Sequence, residues 1–106
     1  MISINDIREL VDRIVLELHP DKIILFGSYS SGEPSPGSDV DLLVVMPHKG
    51  KNWVLAAEIR RRVRPELPID LLVRSPEEMR RRAEEGDPFL CDIINTREVL
   101  HESHHT

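Results

Sequence analysis

Cysteine is almost missing from this sequence: Cys91 stands alone among 106 residues. An internal disulfide is therefore excluded, and a reducing compartment suits the chain. Cys91 itself reads as a small buried hydrophobe. Long apolar runs are missing as well. None reaches the ~20 residues that span a bilayer, and the N-terminus has no signal-peptide pattern, so a cytoplasmic location is expected. An excess of positive charge is the third absence. The formal net charge is −5, which favours neither direct DNA binding nor an acidic membrane as partner. Basic residues cluster only locally, at Arg60-Arg61-Arg62 with Arg64 and at Arg80-Arg81-Arg82, where solvated helix faces account for them.

What is present is the mix of a soluble globular chain, 40% hydrophobic and 31% charged. The length fits one domain over residues 1–106, with a frayed tail from about residue 102. Ile4, Ile7, Leu10, Val11, Ile14, Val15 and Leu18 share a helical stripe over Ser3–Leu18, opened by a Ser3/Asp6 capping pair and stopped at His19-Pro20. Lys22–Phe26 is a short strand whose continuous apolarity predicts burial on both faces. Gly27–Ser38 holds three glycines, two prolines and five serines, a turn-rich segment with room for one helical turn near Tyr29. Val40–Met46 is a second strand, and Asn52 to about Val63 a helix with Leu55, Ala56, Ile59 and Val63 inward. Ile69–Val73 is a third strand. Ser75-Pro76 with Glu78 opens another helix that Gly86 ends; Asp87-Pro88 opens a further one to about Asn95, and Glu98–His101 forms a last strand. This order predicts a small α/β (α+β) domain with a mixed sheet of three to four strands flanked by helices. The histidines of the tail, His101, His104 and His105, lack a metal-ligand framework.

Three carboxylates break this pattern. Side chains alternate along a strand, so Asp39 and Asp41 project to one face while Val40 and Leu42 take the other. Two carboxylates so close repel, and burying them unpaired costs several kcal/mol. A divalent cation removes both penalties, and oxygen-only ligands point to Mg²⁺ or Mn²⁺ rather than zinc. An isolated Asp-x-Asp is also compatible with a loop cap and a solvated strand start. Asp70 changes that balance, as a lone charge inside Ile69-Asp70-Leu71-Leu72-Val73. If this strand lies beside the second, the three carboxylates make a two-metal site of the kind that clamps both oxygens of an in-line phosphoryl displacement. Gly27-Ser28 adds a second element, with Ser28 eleven residues before Asp39. A strand ending in Gly-Ser exposes backbone N–H groups to phosphate, the glycine allows close approach, and the serine hydroxyl can donate.

Gly27-Ser28, then Ser38-Asp39-Val40-Asp41-Leu42, then Asp70 on a later strand together resemble the polymerase-beta-like nucleotidyltransferase superfamily, and in this short form its minimal nucleotidyltransferases. The resemblance runs from the first helix to about His101. It implies that Gly27, Ser28 and Ser38 bind the triphosphate of ATP, and that Asp39 and Asp41 hold two Mg²⁺ ions (Mn²⁺ in their place). Asp70 would ligate the acceptor-side metal and help activate the attacking hydroxyl. It further implies transfer of AMP, with pyrophosphate leaving, to a tyrosine of a helical HEPN toxin, which would make the chain an antitoxin.

One position departs from the family pattern. Relatives often carry a basic residue just before the second glycine of the loop, where this chain has Ser31 before Gly32. Lys49, Lys51 and Arg74 are the candidates to replace that cation. The departure leaves open a non-catalytic antitoxin that acts by binding nucleotide and partner alone. A transferase for a small-molecule acceptor also stays open, as does a homo-oligomer.

Overall fold

The structure, a computed structural model, describes residues 2–31, 37, 39–96 and 98–103, and the side chains of these except 28, 31, 94–96 and 98. Ile4–Leu18 forms α1, Lys22–Phe26 β1, Ser28–Ser31 α2, Val40–Val45 β2 and Asn52–Val63 α3. Ile69–Arg74 forms β3, Pro76–Glu84 α4, Pro88–Thr96 α5 and Glu98–Glu102 β4. The short α2 is the helical turn expected near Tyr29.

Local chemistry sets these ends. At the start of α1 the Asp6 N–H donates to Ser3 Oγ at 3.2 Å, and the Ser3 N–H donates back to Asp6 Oδ2 at 3.0 Å. Aspartate thus fills the place glutamate takes in the commoner capping box. The helix stops as His19 turns left-handed at φ 48°, its N–H donating to the Val15 carbonyl, one residue before the proline expected to break it. At α4 the Ser75 hydroxyl accepts from the Glu78 N–H at 3.1 Å, with Pro76 in the first turn.

The four strands form one mixed sheet in the order β3-β2-β1-β4. β1 runs antiparallel to β2 and β4, while β2 and β3 are parallel and joined through α3. Helices cover both faces. On one, Ile7, Leu10 and Ile14 of α1 and Ile59 and Val63 of α3 pack on Ile23, Leu25, Leu42, Val44 and Leu71. On the other, Leu90 and Ile93 of α5, with Met79 of α4, pack on Ile24, Phe26, Leu43 and Val45. The continuous apolarity of β1 has this cause: it is central, with both faces covered.

A chain of polar contacts ties the helices together. Asn52 at the start of α3 donates to Glu78 Oε1 at 2.9 Å, Arg82 Nε donates to Glu78 Oε2 at 3.1 Å, and Arg82 also donates to Asp87 Oδ2 at 3.2 Å. Burial alone would push the Glu78 carboxyl up, but hydrogen bonds from Asn52 and Arg82, together with the charges of Arg74 and Arg82, hold the group below the usual glutamate range. Arg61 and Arg62 pair with Glu58 on the exposed side of α3, which accounts for that part of the basic run.

Three smaller readings meet detail here. Cys91 is half-buried rather than fully covered. His101 lies in β4, where its Nε2 donates to the Pro20 carbonyl at 3.1 Å, while His104 and His105 fall outside the described residues. Among the described residues no helix is long and apolar enough to cross a membrane.

Candidate active site

The parallel pairing of β2 and β3 sets Asp41 directly opposite Asp70, with Val40 opposite Ile69 and Leu42 opposite Leu71. In-register residues of adjacent strands share a face, so both carboxylates stand on the side covered further along by α4 and α5. Asp39 lies one step before β2 and is exposed; Asp70 is exposed and Asp41 half-buried. Asp41 therefore sits at the centre of the group, with Asp70 across the strand gap and Asp39 two residues away.

Its electrostatics follow from that position. Burial pushes the Asp41 carboxyl above the usual aspartate range, and the charges of Asp70 and then Asp39 push it further the same way. Phe26, buried and directly opposite Asp41 on β1, supplies apolar surface on the inner side. Among the described residues, no three His, Cys, Asp or Glu side chains are already gathered into a metal cage. The carboxylates nonetheless lie close enough for mutual repulsion, and their oxygen-only chemistry suits a hard divalent cation.

A pH dependence follows. Because folding raises the pKa of Asp41, the metal-free fold binds this proton more readily than the unfolded chain does. That contribution to stability is complete below the unfolded aspartate pKa and is lost as pH rises through the raised folded value. Thermal unfolding of the metal-free protein from acid to neutral pH should show the decline, and Asp41→Asn should flatten it. Identical slopes in the two proteins would remove Asp41 as the strained group.

Gly27 explains how the loop reaches this centre. Its φ of +74° turns the chain from β1 into α2, a conformation most side chains resist. A Cβ here would fall well inside contact distance of Asp41 Oδ2 and 3.0 Å from Asp41 Cγ. The Asp41 carboxylate thus leans over the bare backbone of Gly27. The Ser28 and Ser31 side chains, and Ser38 with Gly32, lie outside the described residues.

The proposed replacement cations are not at this end of the sheet. Arg74 pairs with Val45, four residues along β3 from Asp70, or roughly 13 Å at the strand rise. Its guanidinium donates to the Val73 carbonyl. Lys49 and Lys51 follow the far end of β2. A cleft of about 600 Å³, lined by His48, Lys51, Trp53, Arg74 and Glu78, is also at that far end, away from the carboxylates. The separation arises because the three cations follow the C-terminal ends of two parallel strands whose N-terminal ends bear the aspartates. Arg60 of α3, assigned by composition to a solvated face, instead donates to the Ile69 carbonyl at 2.8 Å on the edge strand.

The family model for the nucleotidyltransferase domain matches residues 4–90. The chain belongs to that family. Among curated proteins, no sequence matches significantly. Solved structures share the fold. A candidate nucleotidyltransferase from Sulfolobus solfataricus is 23% identical, with TM-score 0.59 over 73% of this chain and 70% of that one. A toxin–antitoxin solved with AMP-PNP is 21% identical, with TM-score 0.58 over 92% of this chain and 74% of that one. A double Asp-to-Glu mutant of the toxin–antitoxin MntA-HpeT is 18% identical, with TM-score 0.56 over the same shares, 92% and 74%.

Proposed function

We propose that the chain transfers a nucleoside monophosphate, AMP from ATP, to a hydroxyl on a partner protein, the partner being a HEPN toxin and the acceptor a tyrosine. The observation that carries this reading is the in-register pairing of Asp41 with Asp70, with the Asp41 carboxylate leaning over Gly27. The acceptor oxygen attacks the α-phosphorus, the bond to the bridging oxygen breaks, and pyrophosphate leaves. Asp70 receives the hydroxyl proton, a role supported by its exposure on the edge strand. Gly27 lets the triphosphate approach the backbone, with Ser28 and Ser38 as further phosphate contacts. Asp39, Asp41 and Asp70 would hold Mg²⁺ or Mn²⁺, which when bound offsets the carboxylates' repulsion and the phosphate charge. Support for the partner comes from the fold shared with toxin–antitoxin proteins, one of them solved with AMP-PNP.

A binding-only antitoxin is favoured by one observation: Lys49, Lys51 and Arg74 lie at the wrong end of the sheet to steady a triphosphate. One experiment separates the readings. The protein is incubated with α-labelled ATP, Mg²⁺ and the product of the neighbouring gene, and the partner's mass is read. Addition of AMP to the partner is the expected result. A stable complex without added mass would leave the binding-only antitoxin, and label confined to small molecules would leave a small-molecule transferase. In the same samples, millimolar Mg²⁺ should raise the melting temperature of the free protein by linkage, and no shift would count against the metal assignment.

A further inference from the structure

Two phenylalanines stand beside the carboxylates with no role in the steps above. Phe26 is the direct cross-strand neighbour of Asp41 and is only 9% exposed. Phe89, in the first turn of α5, packs against it edge-to-face, the centroids 5.9 Å apart and the planes at 89°. Yet Phe89 keeps 48% of its surface open, unlike Leu90 and Ile93 of the same helix, which are buried. Its position is held from below. The Asp87 carboxylate accepts from the Phe89 N–H at 2.9 Å and is itself fixed by Arg82. The ring is therefore an exposed aromatic on a rigid base.

Placement says what it faces. The carboxylate centre has two flanks. On one is the edge strand β3 with Asp70, open to an acceptor. On the other is β1 with Phe26, against which Phe89 packs. Cross-strand side chains are about 5 Å apart at Cβ, so Phe89 stands on the order of 10 Å from Asp41. That span is comparable to the reach of a nucleoside from its α-phosphorus to its base. With the acceptor on the β3 flank, the base has the aromatic flank.

We infer that Phe89 is the stacking platform for the nucleobase of the bound nucleotide, with Phe26 backing it. The inference rests on the nucleotide site proposed above. Stacking on one ring carries no hydrogen-bond readout, so the site should accept several bases with similar affinity.

The test compares two probes on the full chain with Mg²⁺: a non-hydrolysable ATP analogue and inorganic tripolyphosphate, which has no base. Phe89→Leu keeps apolar cover on Phe26 but removes the ring, and Phe89→Tyr keeps the ring. Phe89→Leu should weaken the ATP analogue about tenfold and leave tripolyphosphate unchanged, and Phe89→Tyr should restore the analogue. Equal weakening of both probes would make Phe89 merely structural and overturn the inference. Unchanged affinity for the analogue, with a raised KM for the acceptor, would assign the ring to the acceptor and also overturn it. If wild type binds neither probe, the nucleotide site itself fails. If it binds both and only the Phe89 variants disagree, that site stands without its platform.

Discussion

Asp41→Asn should lower nucleotidyl transfer roughly a hundredfold or more while the protein stays folded. The change removes a charged oxygen at the centre of the group, where Asp70 faces Asp41 and Asp39 adds its charge. It also removes a carboxylate that the metal-free fold holds against burial and repulsion, so the variant's metal-free melting temperature should equal or exceed that of wild type. Asp39→Asn should lose activity similarly, with a smaller stability gain, because Asp39 is exposed. Paired rate and melting measurements check both halves. Full activity in either variant would remove that aspartate from the site. Lost activity with a large drop in stability would mean that the carboxylates serve the fold instead.

Gly27→Ala should damage both stability and transfer. The left-handed backbone alone costs an alanine about 1–2 kcal/mol. The new methyl would also overlap the Asp41 carboxylate, so either the loop or the carboxylate must move. The overlap involves chiefly Oδ2 and Cγ of Asp41, whereas its Cβ would be 3.4 Å away, an ordinary contact. Asp41→Ala in the Gly27→Ala background should therefore recover stability, making the double variant more stable than additivity predicts by at least about 1 kcal/mol. Denaturant unfolding of the four proteins closes the cycle. Additive losses would show that Gly27 and Asp41 do not touch, and that the turn is needed only for its φ.

Much of this fold is legible in the chain because its punctuation is strong. The apolar run Lys22–Phe26 lies between Pro20 and Gly27, and the strand has those bounds. Pro65 and Pro68 isolate Ile69-Asp70-Leu71-Leu72-Val73, and the observed strand extends it by one residue to Arg74. That the charge of Asp39 acts on Asp41 follows from their two-residue spacing. The position of Asp70 needed more: that β3 lies beside β2, and in which register, depends on the α3 connection and on the packing of both faces. The contact of Phe26 with Phe89 was not legible, since it joins residues far apart in sequence through the docking of α5. Nor was the place of Lys49, Lys51 and Arg74. Their charge is visible in the sequence, but only the parallel β2–β3 pairing shows that they follow the strand ends opposite to the aspartates.

The central claim is that the aspartate end of the β2–β3 pair carries out nucleotidyl transfer. Its most direct test uses ATP labelled separately at the α and γ positions, with Mg²⁺ and the co-purified partner. The account predicts that the α label becomes covalently attached to the acceptor while the γ label leaves as pyrophosphate, one for one, and that Asp41→Asn stops both. Transfer of the γ label to the acceptor, or its release as free phosphate with ADP left behind, would contradict it.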